Sequence, residues 1–229
     1  MSLSGFVRQS ALSFVVIASG AAGAGAQGVE GNVALSSNYV FRGITQTSDG
    51  PAISGGFDWA SDSGFYVGTW ASSVDFGDDT TMEIDFYGGF GFSAGEFDFD
   101  VGGIYYAYPD SPQVLGEDQD FLELYAGGAR SFGALTFDAK LSWSDDFYAG
   151  TGQALYLEAG AALDTGAGVT LDARIGSSEF NDLTGADYED YQIGVSGELA
   201  GVGWDLRFHD TSDFFGDSVV FSISQSFGG

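Results

Sequence analysis

The chain contains no cysteine, so disulfides and thiolate chemistry are excluded and any fold rests on hydrogen bonding and packing alone. Three prolines stand beside 37 glycines. A flexible Pro/Gly linker protein would be rich in both. Base is scarce as well: Lys and Arg total 6 against 33 Asp and Glu, for a formal charge of −27. Such a surface repels nucleic acid, and a nucleic-acid partner is excluded on that ground. Beyond Ala26 no stretch stays apolar for the roughly 18 residues that mark a membrane-crossing helix, so such a helix is ruled out. Aromatics make up 16% of the chain. Disordered acidic segments are poor in them.

Residues 1–26 have the order of an export signal. Arg8 precedes an apolar run, Ala11 to Ala18, and small residues end in Ala24-Gly25-Ala26. This is the arrangement of a secretory signal with its cleavage site. The expectation is a cleaved signal peptide over 1–26 and one domain over 27–229. Losing Arg8 leaves that domain still more acidic.

From Val29 onward the dominant period is two. Met82, Ile84, Phe86, Gly88, Phe90 and Phe92 alternate with Glu83, Asp85, Tyr87, Gly89 and Gly91. A helix would scatter these apolar residues, whereas a strand collects them on one face. The pattern predicts twelve strands, near 29–42, 50–60, 65–75, 81–93, 96–108, 120–131, 134–145, 153–164, 168–178, 188–199, 203–210 and 217–227. Most are longer than the usual five or six residues and suit a bilayer crossing of about 9–11 residues. Connections alternate between short Gly-bearing turns, such as Ala94-Gly95 and Phe132-Gly133, and longer acidic ones, such as Pro109 to Gln119. Outer-membrane barrels alternate in this way. The prediction is an all-β, antiparallel, up-and-down transmembrane barrel. Aromatics near strand ends fit its interfacial girdles: Tyr39, Phe41, Trp59, Tyr105, Tyr106, Tyr108, Trp143, Phe147, Tyr148 and Trp204.

Asn32 to Phe76 carries Ser37-Asn38-Tyr39-Val40-Phe41-Arg42-Gly43, then Pro51-Ala52-Ile53, Gly55-Gly56-Phe57-Asp58 and Gly64-Phe65-Tyr66. These pieces resemble the opening of the TorF family of porins, proteobacterial outer-membrane β-barrels. The resemblance implies an outer-membrane location and a channel, and brings no catalytic residue with it. The end of the chain alternates Val219, Phe221, Ile223, Gln225 and Phe227, although Gly228 and Gly229 follow the terminal aromatic.

In a membrane barrel the apolar alternate set meets lipid and the other set lines the lumen. The expected lumen acids are Asp58, Glu83, Asp85, Asp98, Asp100, Glu123, Asp138, Glu158, Asp172, Glu198 and Asp205. The expected bases are Arg42, Lys140, Arg174 and Arg207, with His209 beside them. Carboxylate rings favour cations, so passive diffusion of small, preferentially cationic solutes is one expectation. Twelve strands give an intermediate lumen, so the competing expectation is a barrel plugged by its own ion pairs, structural or adhesive in role. Catalysis is not expected. His209 is the one histidine, Ser212 falls on the opposite strand face, and no G-x-S-x-G elbow occurs. An exported soluble β-sandwich would leave with the periplasm on extraction. No cofactor is expected. The expected partners are outer-membrane lipid, lipopolysaccharide, the barrel-assembly machinery and small solutes. The loop acids Asp75, Asp78 and Asp79, or Asp187, Glu189 and Asp190, could attract Ca²⁺ or Mg²⁺ but lack the spaced calcium-loop motif.

Overall fold

A computed structural model describes residues 28–114, 116–212 and 216–228. The expected signal peptide lies outside the described residues. Fourteen strands follow in order: β1 (Val29–Ser36), β2 (Val40–Phe41), β3 (Ile44–Thr45), β4 (Ala52–Ala60), β5 (Phe65–Ser73), β6 (Met82–Ala94) and β7 (Phe97–Ala107). Then come β8 (Phe121–Phe132), β9 (Leu135–Ser144), β10 (Ala154–Asp164), β11 (Val169–Phe180), β12 (Tyr188–Leu199), β13 (Val202–Thr211) and β14 (Ser218–Gly228). Twelve of them, β1 and β4 to β14, pair antiparallel with their neighbours and close when β1 meets β14. Closure removes every sheet edge and pairs the backbone groups that lipid could not satisfy.

Eleven barrel strands agree with the sequence-based boundaries to within two residues. The first does not. The period-two pattern runs on to Arg42, but β1 leaves the wall after Ser36 and the chain turns inward as the hairpin β2–β3. The cause is local. Arg42 and Gly43 form the turn, with φ +48 and +80 degrees respectively. That is the left-handed geometry of tight hairpins. Gly43 adopts it freely, so the strand cannot continue.

Turns at one end are short: Gly95 and Gly133, each with a positive φ, sit in two of them. The other end carries the long connections, including 108–120 and 145–153. Burial is inverted relative to a soluble domain. Ile53, Phe57, Phe86 and Leu122 stand outside at 50–57% exposure, whereas Asp85 is 0% and Glu123 2% exposed. Apolar residues outside and charge inside is the arrangement of a barrel seated in hydrocarbon. The third predicted strand, β5, is arranged the same way, with Phe65 and Val67 out and Tyr66 buried within. Trp59, Tyr105 and Trp143 face outward, as girdle residues should. Tyr39, Tyr106 and Tyr108 correct that expectation: they are buried inside, in aromatic clusters around the hairpin. Their hydroxyls find carboxylate partners there. A lipid-facing position would not supply them.

Candidate functional site

The predicted acids and bases share the inward alternate set of their strands, with Asp98 and Glu198 at the short-turn mouth. Arg42 is the exception, since it reaches the lumen from the hairpin tip rather than from the wall. The sequence reading also missed Asp190. Grouped with the loop acids although it falls within the predicted strand 188–199, Asp190 is on β12 and buried within the barrel, 3% exposed.

Glycines govern which side chains meet. Asp172 on β11 and Arg207 on β13 are both register partners of Gly194 on β12. A Cβ there would lie 2.7 Å from the Arg207 guanidinium carbon, so glycine leaves room for the two to meet in this position across the middle strand. Asp138 and Arg174 meet in the same way across Gly160, at 2.8 Å. Asp58 and Tyr87 meet across Gly68. Tyr66 and Tyr125 reach over two glycines, Gly89 and Gly102, and join hydroxyls, while Tyr66 also donates to Asp100 at 2.8 Å. Inward glycines are thus saddles, each removing a Cβ so that strands two or three apart can interact.

Charge divides by wall. On β9 to β13 each base has a carboxylate: Lys140 with Glu158 at 2.9 Å, Arg174 with Asp138 and Glu158, Arg207 with Asp172 and with Asp205 at 3.0 Å. On β4 to β8 the inward set holds Asp58, Glu83, Asp85, Asp98, Asp100 and Glu123 with no Lys or Arg. Tyrosine hydroxyls serve instead. Tyr39 and Tyr108 donate to Glu83 at 2.8 and 3.0 Å, and Tyr106 donates to Glu123 at 3.1 Å.

The hairpin occupies the centre of the lumen. Arg42 donates to Glu123 on β8 at 2.7 Å and lies 4.0 Å from the Tyr156 ring centre on β10. Tyr39 packs edge-on to Trp70 of β5, and Phe41 to Tyr106 of β7. A Cβ on Gly43 would strike Thr211 of β13 at 2.4 Å and meet Asp190 of β12 at 3.0 Å. Contacts with strands all around the barrel leave little free cross-section at this level. Against the hairpin is a cavity of about 100 Å³ whose lining includes Trp70, Tyr106, Tyr156, Glu158, Asp190 and His209.

The long-loop end is capped by hydrogen bonds. Fully buried Gln119 donates to Asp78 and to the Pro112 carbonyl, and accepts from Tyr148 at 2.9 Å. Burial pushes the Tyr148 hydroxyl up to about 12, and nearby Asp78 adds to the shift. Desolvation opposes charge on Asp78, yet hydrogen bonds from Thr80 and Gln119 prevail and hold its carboxyl below the usual range. Hydrogen bonds to the charged form favour that form. Among the described residues no group of three or more potential ligands could hold a metal ion. Ser212 accepts the Glu189 amide at the long-loop rim, and His209 lies within the cavity lining.

An apolar exterior around a charged interior, closed over twelve strands, defines a transmembrane antiparallel β-barrel. The chain belongs to the Gcw_chp family, described as bacterial protein of unknown function, whose profile matches residues 20–225. No curated protein matches it. Among solved structures it is similar to the KdgM porin (TM-score 0.60, 6% identity, 87% of this chain and 98% of that one). The NanC porin is also similar (TM-score 0.56, 7% identity, 86% and 97%). At such identities the likeness is one of fold.

Proposed function

We propose that the protein is an outer-membrane channel for passive diffusion of small solutes, with a preference for cations. The observation that carries the reading is that the wall of β4 to β8 supplies acids and no base, whereas on β9 to β13 Lys140, Arg174 and Arg207 pair with acids of their own wall. Glu123 of this wall pairs with Arg42 of the hairpin, and carboxylates lacking a base attract cations and repel anions. The apolar exterior suits hydrocarbon, and the long-loop end is the outward one by analogy with outer-membrane barrels. Lipid, lipopolysaccharide and the barrel-assembly machinery are the partners this location entails. The TorF-like segment Asn32 to Phe76 belongs to the same proposal, as do export on a cleaved signal peptide and the absence of catalysis.

One similar structure holds the KdgM porin with disordered oligogalacturonate, a polyanion. The acidic wall argues against the same ligand class here. A second reading has one observation in its favour: the hairpin fills the lumen centre, so the barrel could be closed and structural in role. Single-channel conductance of the refolded protein across a KCl gradient separates the two. The expected result is discrete steps with a cation-selective reversal potential. Silence from folded, heat-modifiable protein would establish the closed barrel, and steps with no cation preference would remove the role of the acidic wall.

A further inference from the structure

We propose that the cavity against the hairpin is a docking subsite for the ammonium head of a small organic cation; this rests on the cation-preferring reading above. The cavity has a volume of about 100 Å³. A cavity of roughly 150 Å³ accepts benzene, so this one admits a head group of about four heavy atoms. Three aromatic side chains from different strands, Trp70, Tyr106 and Tyr156, line it. Aromatic faces attract cations, most strongly where water is excluded.

Two buried carboxylates there have unmet capacity. Asp190 is 3% exposed; its Oδ1 accepts from Tyr156 at 3.3 Å, while its Oδ2 has no hydrogen-bond partner. Space for it exists because β11 has Gly176 at this level, where a Cβ would lie 2.3 Å from that oxygen. Asp85 is outside the lining but is the register partner of both Trp70 and Tyr106, which belong to it. It is fully buried, and neither of its oxygens has a hydrogen-bond partner. An isolated buried carboxylate is costly, and a cation held nearby relieves that cost.

The chain's own cations show what these rings accept. The Arg42 guanidinium sits over Tyr156, and the Lys140 ammonium lies 5.9 Å from the Tyr125 ring centre. Both also line the cavity, but Arg42 is bonded to Glu123 and Lys140 to Glu158. An anion would therefore meet bases already engaged and carboxylate oxygens that repel it. A bare divalent ion needs a full shell of oxygen ligands. No such group is gathered among the described residues. An organic ammonium draws on aromatic faces where a metal would need oxygens.

The test is titration calorimetry of the full barrel in detergent, with choline chloride against 3,3-dimethyl-1-butanol, its uncharged isostere. Saturable choline heat is expected, with the isostere weaker by tenfold or more. Asp190→Asn should weaken choline by about tenfold or more, since interactions with charged groups are the stronger kind. Trp70→Leu should weaken it too, and Glu96→Gln, in a distant turn, should leave it unchanged. Heat-dependent gel mobility certifies each variant as folded, and Trp70→Leu carries the test if Asp190→Asn fails to fold. Absent choline heat, equal binding of the isostere, or indifference to both substitutions overturns the subsite. Cation-selective KCl steps without choline binding defeat this inference alone; choline binding without conductance defeats the channel and keeps the subsite.

Discussion

The two walls of the lumen solve one problem differently. On β9 to β13, Asp138, Glu158, Asp172 and Asp205 are tied to three bases, while Asp190 accepts from the Tyr156 hydroxyl. On β4 to β8, Asp58, Glu83 and Asp100 are met by tyrosine hydroxyls and Glu123 by Tyr106 together with Arg42, while the Asp85 oxygens have no hydrogen-bond partner. The first arrangement cancels charge and the second merely hydrogen-bonds it. A guanidinium pair brings a compensating charge across strands, whereas a tyrosine hydroxyl brings a hydrogen bond and no charge. In this barrel one wall meets acids with bases and the other meets them with hydroxyls.

That contrast can be broken by experiment. The largest effect is expected from Arg207→Met, which leaves Asp172 and Asp205 buried without their base. Stranding buried partners costs about 3–5 kcal/mol, so the urea midpoint of the vesicle-embedded barrel should fall sharply. On the opposite wall Tyr66→Phe removes the hydrogen bond to Asp100 and the hydroxyl contact with Tyr125 and should cost roughly 1.5 kcal/mol in the same assay. Equal losses would mean that the walls do not differ in kind. Selectivity should show the reverse order. Asp100→Asn should move the KCl reversal potential toward zero by more than Asp172→Asn does, because Asp172 is already neutralised by Arg207. Arg42→Ala should loosen the hairpin and raise single-channel conductance; an unchanged step size would place the constriction elsewhere. The smallest effect concerns the cap. The Asp78 carboxyl is held below its ordinary value, so its contribution is present above the usual carboxylate range. It is lost as the pH falls through the lowered value. Amide exchange at Thr80, whose N–H donates to Asp78, should accelerate only under such acid conditions.

Much of this was legible in the residues. Alternation along β6, β9 and β13 identified the strands, and the alternation of short turns with acidic connections identified the barrel. Every lumen acid named from the pattern lies on the inward set, because a period of two leaves a side chain only two choices. Three things were not legible. The Arg42-Gly43 turn interrupts an otherwise unbroken strand pattern; its signal was a glycine at the second position of a tight loop between Val40-Phe41 and Ile44-Thr45. Tyr39 and Tyr106 read as girdle residues, since composition does not tell which mouthward aromatics turn in. The saddles were hidden because they depend on register: Gly194 joins Asp172 to Arg207 only once three strands are aligned, and sequence spacing says nothing of that.

The hairpin also bears on the order of assembly. It follows the first strand, yet its docking partners Glu123, Tyr156, Asp190 and Thr211 all lie far along the chain, on β8, β10, β12 and β13. Until β13 is in place, Arg42 and Gly43 have no complete seat. β1, from which the hairpin springs, is itself fixed by zipping to β14, the last strand. Contacts so distant in sequence form late. The narrowing of the lumen is therefore coupled to completion of the wall, and a barrel arrested before its last strands join would lack the element that restricts passage.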